Sequence, residues 1–240
     1  MEVIDFHSHI LPGMDDGSQD VETSLQMLRM SAKQGIRHMV ATPHFYPRYD
    51  DPAHFLKKRD RAARQLRAAM ESEPGLPGIT LGAEVYFFSG ISESDLIGTL
   101  TIGEKPCILI EMPAAPWKES HFRELEQIYV RHGITPIIAH IDRYIRPFHT
   151  YGIPKRLVKL PVLVQANAGF FLNRATQGMA LRMLKQDQIH LLGSDCHNLS
   201  SRAPNLGEAA GVIEEHLGSS AIRRIRDRQL LVLPEYANPM

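Results

Sequence analysis

A parallel α/β fold follows from three features of the chain. Short apolar runs alternate with amphipathic stretches from end to end. Those runs are continuous rather than alternating in polarity. His, Glu, Asp or Asn stands where each run stops. Continuous apolar runs fit strands buried on both faces, as in parallel sheets. Strand–helix alternation through a whole chain is the pattern of a parallel α/β architecture, either an open doubly wound sheet or a closed barrel.

The expected strands are Val3–Phe6, His38–Ala41, Thr80–Tyr86, Cys107–Met112, Pro136–Ala139, Val162–Gln165 and Ile189–Gly193. Helical spacing lies between several of them. Val21, Leu25, Leu28 and Ala32 mark a first helix, with Ser18 or Asp20 to cap its start and Gly35 its end. Phe55, Ala62, Leu66 and Ala69 mark a second, closed by the breaker run Pro74–Gly78. Phe122, Leu125 and Tyr129 mark a third, closed near Gly133. Ala180, Met183 and Leu184 belong to a fourth, and Ala209, Val212, Ile213 and Leu217 to a fifth. No repeat or linker interrupts the pattern, so residues 1–240 are expected to form a single domain.

Composition removes several function classes. Lys+Arg and Asp+Glu both number 27, so no basic field exists to hold nucleic acid non-specifically. No apolar stretch approaches the roughly 20 residues of a membrane helix, and the N-terminus lacks a signal-peptide pattern. No membrane insertion and a cytoplasmic location are the expectations. Two cysteines cannot make a disulfide framework. The unusual count is 12 histidines, which makes their placement the first question.

The first strand runs into His7-Ser8-His9, and residues two apart in an extended chain point the same way. Asp15-Asp16-Gly17 follows. Later strands end at or carry Thr42-Pro43-His44, Gly82-Ala83-Glu84, Glu111, His140-Ile141-Asp142, Asn167 and Asp195-Cys196-His197. Parallel α/β folds place their sites at the C-terminal ends of strands. An ionisable group ending a run such as Cys-Ile-Leu-Ile-Glu is costly to bury unless paired or bound to metal. Any one of these residues has an ordinary structural explanation. Their joint occurrence points to a polynuclear metal site.

The other chemistry-bearing residues read as structural. His190 begins a strand, at the far end of the sheet. His54, His121, His132 and His216 sit on or beside helices. Cys107 packs, and alternation turns Cys196 away from its neighbours. Met27, Met30, Met179 and Met183 are core, and Lys57–Arg61 is a wet helix face. Phe45–Tyr49 either lines the cleft, stacking on a phenyl ring, or is a packed loop. Arg146 either widens a positive patch or is solvated.

His7-Ser8-His9, Asp15-Asp16-Gly17, Thr42-Pro43-His44, Gly82-Ala83-Glu84, His140-Ile141-Asp142-Arg143-Tyr144 and Ser194-Asp195-Cys196-His197-Asn198 together resemble the polymerase-and-histidinol-phosphatase (PHP) superfamily. Within it they resemble the bacterial manganese-dependent protein-tyrosine phosphatases of capsule and exopolysaccharide systems. The resemblance implies a distorted TIM-like (β/α)7 barrel of the PHP fold, with three divalent metal ions at the strand C-termini. His7, His9, Glu84 and Asp195 would hold the first ion. Glu84 would bridge to a second, held with Glu111 and His140. His44, His197 and an aspartate of the Asp15-Asp16 pair, Asp16 matching better, would hold the third. Arg143 and Arg202 fall where this branch contacts phosphate, as catalytic and substrate-binding residues.

The donors are imidazole and carboxylate, which suit manganese, iron, zinc or magnesium; the resemblance favours manganese. The expected reaction is hydrolysis of phosphotyrosine on protein, a metal-activated hydroxide attacking phosphorus. The expected partner is a phosphotyrosine-bearing bacterial tyrosine kinase. Alternatives are a small-molecule phosphomonoesterase such as a histidinol phosphatase, a nuclease module and a non-catalytic metal-binding regulator. A phosphocysteine route is discounted, neither Cys107 nor Cys196 being read as part of a Cys-x5-Arg signature.

Overall fold

A computed structural model of the chain describes residues 3–103, 105–145 and 152–236; Arg146 lies outside the described residues. The elements run β1 (Ile4–Ser8), α1 (Val21–Lys33), β2 (His38–Ala41), β3 (His44–Phe45), α2 (Pro52–Met70), β4 (Gly78–Leu81), β5 (Glu84–Tyr86), β6 (Cys107–Glu111), α3 (Glu119–His132) and β7 (Thr135–Ile138). They continue with α4 (Asp142–Ile145), α5 (Gly152–Leu157), β8 (Leu163–Asn167), α6 (Ala168–Leu172), α7 (Gln177–Lys185), β9 (Leu191–Gly193), α8 (Leu206–Leu217) and α9 (Ser219–Val232).

Every strand pairing is parallel. One ladder runs β1-β2-β4 and the other β3-β5-β6-β7-β8-β9. The breaks between them are local. Pro43 has no N–H to give, so the ladder through β2 stops and resumes at His44. The single strand expected over Thr80–Tyr86 is likewise two, split at Gly82-Ala83. There Gly82 N–H donates to Ala41 O and Glu84 N–H to Pro43 O. The sheet curls until its first and last strands meet: Ser8 bridges Cys196, Asp195 N–H donates to His7 O, and His9 N–H to Cys196 O.

The curl gives the sheet two apolar faces, which is why its strands read as continuous runs. Ile4, Phe6, Val40, Leu109, Ile137 and Leu191 gather on one side with Val232 and Leu233. Met39, Ala41, Ile108, Ile110, Ile138 and Leu192 pack with the helices on the other. The five helices read from spacing are all present. Asp20, not Ser18, caps α1 by accepting from Thr23 N–H at 2.7 Å. On α3 the buried positions are Phe122, Leu125 and Ile128, while Tyr129 is exposed. Unforeseen are α4, α5 and α6, too short to show a period, and α9, whose stripe Ala221, Ile222, Ile225 and Val232 is interrupted by arginines. Gln229 of α9 is buried and holds the start of β1 from both sides, accepting from Ile4 N–H at 3.0 Å and donating to Ile4 O at 2.7 Å.

His38 and His190 sit near the N-terminal ends of β2 and β9. Burial holds both neutral, with pKa values lowered to about 4; the charge of Arg228 adds to the effect at His190. An unfolded chain therefore binds protons at these sites before the folded one does. Stability rises with pH wherever the unfolded state binds more protons. Their contribution is complete above about pH 6.5 and is lost as pH falls toward 4. Urea midpoints are expected to decline through that window, with a flatter decline in His38→Gln. An unchanged slope in the variant would contradict this.

Candidate functional site

Parallel strands deliver their C-terminal ends to one side of the sheet, and the nine residues singled out above meet there. His7 closes on the end of β1 and His9 follows it. His44 opens β3, Glu84 opens β5 and Glu111 ends β6. His140 comes two residues after β7. Asp195 and His197 follow β9. His140 and Asp195 have φ of 33° and 54°, the left-handed region that non-glycine residues rarely occupy. Such a turn directly after a strand redirects the chain, and strain of this kind clusters at functional sites. Seven of the nine side chains are buried or nearly so, Glu111 is half-buried, and Asp16 is 66% exposed at the mouth.

The oxygen Glu84 Oε2 lies 3.1 Å from His7 Nε2, 3.3 Å from His9 Nε2 and 3.0 Å from His44 Nδ1, and Glu84 Oε1 lies 2.7 Å from His140 Nε2. Asp195 Oδ1 is 3.5 Å from Nε2 of both His7 and His9. Asp16 Oδ1 is 3.3 Å from His197 Nε2 and 3.6 Å from His44 Nε2. Glu111 approaches His140 Nε2 at 3.8 Å and His44 Nδ1 at 4.0 Å.

Hydrogen bonds behind the rings set the tautomers. His9 Nδ1 faces Asp15 Oδ2 at 2.7 Å and His7 Nδ1 faces Gln165 Oε1 at 3.3 Å, so both Nδ1 atoms carry the proton. In the neutral rings both Nε2 atoms are then acceptors facing each other at 3.1 Å, and, against burial, the carboxylates of Glu84, Asp15 and Asp195 around them raise the affinity of both rings for a second proton. Two lone pairs at that distance repel unless a cation or a shared proton lies between them. His197 Nδ1 donates to Asp195 O at 3.0 Å, leaving its Nε2 without a hydrogen-bond partner. His44 Nδ1, Glu84 Oε2 and His140 Nδ1 are also buried without one. Buried polar atoms are normally satisfied, so this concentration of unsatisfied donor atoms fits a site built for cations.

Among the described residues, three groups bring their ligand atoms within 4.8 Å of one another: His7, His9 and Asp195; His44, Glu84 and Glu111; and His9, Asp16, His44 and His197. They divide the residues differently from the resemblance. His9 and His44 each face two groups, and His140 approaches the second through Glu84. The Asp15-Asp16 pair separates clearly. Asp15 is buried, orients His9 and accepts from His44 N–H at 2.9 Å and Gly17 N–H at 2.9 Å, while Asp16 points into the mouth.

The electrostatics are dense. Burial alone would raise the Glu84 carboxyl, but the imidazoles of His7, His140 and His44 packed around it outweigh that and hold it well below the usual range. Burial and the neighbouring Glu84 charge push Glu111 up. Arg143 and Arg202 clamp Asp195 from two sides, Arg143 Nη2 on Oδ2 and Arg202 Nη2 on Oδ1 at 2.7 Å. Each guanidinium is about a third or more exposed, and its Nη1 reaches a second carboxylate, Glu111 Oε1 at 3.9 Å from Arg143 and Asp16 Oδ2 at 3.8 Å from Arg202.

Sequence reasoning missed Gln165. It is fully buried; its Oε1 accepts from His140 N–H at 2.6 Å and from the His7 ring, and its Nε2 donates to Asn167 Oδ1 at 3.0 Å. Asn167, read only as a strand-end residue, donates to Asp195 Oδ2 at 2.9 Å. A polar residue inside the apolar run of β8 was the available signal. Partners that orient metal-binding histidines typically contribute about 10–100-fold to affinity or activity. Gln165→Leu is accordingly expected to cut activity about 10–100-fold, and unchanged kinetics would remove Gln165 from the site.

Cys196 needs a correction. Cys196 and Arg202 do stand at the Cys-x5-Arg spacing, so spacing does not dispose of a phosphocysteine route. Burial does. The Cys196 side chain is fully enclosed in the core, and burial pushes its thiol far up, away from the thiolate a nucleophile requires.

Comparison with known proteins places the fold beside metal-dependent phosphatases. A family model described as "Capsular polysaccharide synthesis, CpsB/CapC" matches residues 3–229. The tyrosine-protein phosphatase YwqE of Bacillus subtilis is 31% identical over 242 residues, covering 96% of this chain and 91% of that protein. The tyrosine-protein phosphatase CpsB of Streptococcus agalactiae is 27% identical over 236 residues, covering 93% and 94%. A solved structure from work on YwqE of Bacillus subtilis and CpsB of Streptococcus pneumoniae, described there as "unique metal-dependent tyrosine phosphatases", superposes with a TM-score of 0.84 at 28% identity. It covers 96% of this chain and 94% of that one.

Proposed function

This chain belongs to the CpsB/CapC family of capsular polysaccharide synthesis, and from that premise we propose that it is a metal-dependent protein-tyrosine phosphatase. The observation that carries the reading is the pair of His Nε2 lone pairs facing each other at 3.1 Å beside Glu84 and Asp195, with two arginines at the rim. The reading takes the whole of residues 1–240 as one domain. It takes the curled sheet as a distorted seven-stranded barrel of the PHP type, β2 with β3 and β4 with β5 each counting as one strand. The meeting of β1 with β9 supports it.

His7, His9, Asp16, His44, Glu84, Glu111, His140, Asp195 and His197 would hold three divalent ions, manganese first, with iron, zinc or magnesium suiting the same donors. When bound, such ions neutralise phosphoryl charge and lower the pKa of water toward neutrality, supplying the nucleophile. The chain's own residues do the rest. Asp15 and Gln165 keep both Nε2 atoms free and aimed inward. Arg143 and Arg202 present guanidinium forks to the phosphoryl oxygens. A tyrosine phenol, with a pKa near 10, leaves more readily than a serine alkoxide, so no strong general acid is needed. The substrate in this reading is a phosphotyrosine-bearing bacterial tyrosine kinase, met in the cytoplasm.

The deciding experiment compares manganese-dependent turnover of a phosphotyrosine peptide, histidinol phosphate and DNA. Preference for the peptide is expected. Preference for histidinol phosphate would overturn the substrate class, and no hydrolysis of any of them would overturn the enzyme. Arg202→Ala is expected to raise KM, lower kcat or both, with metal content unchanged by elemental analysis. Loss of metal in that variant would move Arg202 from substrate binding to site assembly.

A further inference from the structure

Beside the cluster lies a hollow of about 460 Å3, between the segment after β3 and the end of β5. Tyr46, Tyr86 and Phe88 line it, and Arg48 and Tyr49 form its outer side. Its lining adjoins the ion-binding residues through two tyrosines. The Tyr46 ring stacks on His44, with centroids 5.2 Å apart and planes 27° from parallel. Tyr86 stands opposite Glu111 in the β5–β6 register. The Tyr46 and Tyr86 rings are 5.8 Å apart and inclined at 45°, a tilted pair that forms a wedge-shaped wall. Tyr49 is 79% exposed, with the Arg48 guanidinium 5.9 Å from its ring.

We propose that this hollow receives the aromatic ring of the phosphotyrosine whose phosphate sits on the cluster, and so selects aryl over alkyl phosphate esters. The inference rests on the phosphatase reading above and adds the residues that choose the substrate. The phenyl ring of a phosphotyrosine is one ester oxygen from its phosphorus, so a phosphate beside His44 and Glu111 leaves the ring at the mouth of the wedge. Aromatic rings prefer inclined or offset partners, the arrangement Tyr46 and Tyr86 present. A seryl ester is too short to reach these walls and leaves the apolar lining in water. Arg48 and Tyr49 stand where the peptide on either side of the tyrosine leaves the pocket.

The test uses Tyr46→Ala, Tyr46→Phe and Tyr86→Ala in the full chain loaded with manganese, with metal content measured for each. Binding of phenylphosphonate and ethylphosphonate is followed by calorimetry, and hydrolysis of phenyl phosphate and ethyl phosphate by phosphate release. Tyr46→Ala and Tyr86→Ala are expected to weaken phenylphosphonate at least tenfold while ethylphosphonate shifts less than threefold. The aryl-to-alkyl ratio of kcat/KM should fall by the same factor, and Tyr46→Phe should retain it. Equal losses for both phosphonates, or no loss for either, would overturn the pocket. If no ester is hydrolysed but the phenylphosphonate preference is present and collapses in the variants, the catalytic reading fails and the pocket stands. If esters are hydrolysed and the ratio does not move, the pocket fails alone.

Discussion

Replacing Asp195 by alanine is expected to lower kcat/KM on a phosphotyrosine peptide by at least about a thousandfold, roughly 4 kcal/mol of transition-state stabilisation. Among the described residues, Asp195 gathers the most polar contacts in the site. Asp195 Oδ1 stands 3.5 Å from both His7 and His9, and the two oxygens hold Arg143, Arg202 and the Asn167 amide. Alanine removes a donor from the ion cluster and frees both guanidiniums at once. Freed arginines still attract phosphate, so the loss should fall on kcat more than on KM, and metal content should drop. Alanine also carries a cost in the left-handed backbone at φ 54°, about 1 kcal/mol or more. Asparagine tolerates that conformation, so Asp195→Asn should keep more of the melting temperature while losing most of the activity. Wild-type-like turnover in either variant would sink the site assignment.

Stripping the protein of divalent ions is expected to abolish hydrolysis and lower the melting temperature together, both returning with added manganese. The lone pairs of His7 and His9, and the unpartnered atoms of Glu84, His44 and His197, are left facing one another when nothing sits between them. Ligand present at a hundred times its dissociation constant stabilises the folded state by about 2.7 kcal/mol. For a chain of this size each kcal/mol moves the midpoint by roughly 2–4 °C, so a drop on the order of 5–10 °C is expected. Full activity after dialysis against a strong chelator, with no residual metal by elemental analysis, would contradict the cluster.

The gathering of His7, Glu111 and His197 was legible because parallel strands send their ends to one side, whatever the curvature of the sheet. What spacing alone did not carry was contact between neighbours of equal chemistry. Asp15 and Asp16 differ only in the turn that buries one against His9 and exposes the other. The division of the ions among ligands was likewise unreadable, since His9 and His44 each present atoms to two groups. Gln165 was passed over because a neutral amide is a weaker metal donor than the imidazoles and carboxylates around it; its importance lies in what it holds behind His7 and His140. The split of β4 from β5 turns on backbone hydrogen bonds from Gly82 and Glu84 to the neighbouring strand, which no side-chain pattern reports.

The seam between β1 and β9 sets a clock on synthesis. His7 and His9 leave the ribosome long before Asp195 and His197, the residues they meet in the folded protein. Contacts so distant along a chain form late and slowly. A nascent chain shorter than β9 therefore lacks Asp195 from the group with His7 and His9 and lacks His197 from the group with His9, Asp16 and His44, and a translation product stopped before residue 195 should neither retain metal nor cleave an ester.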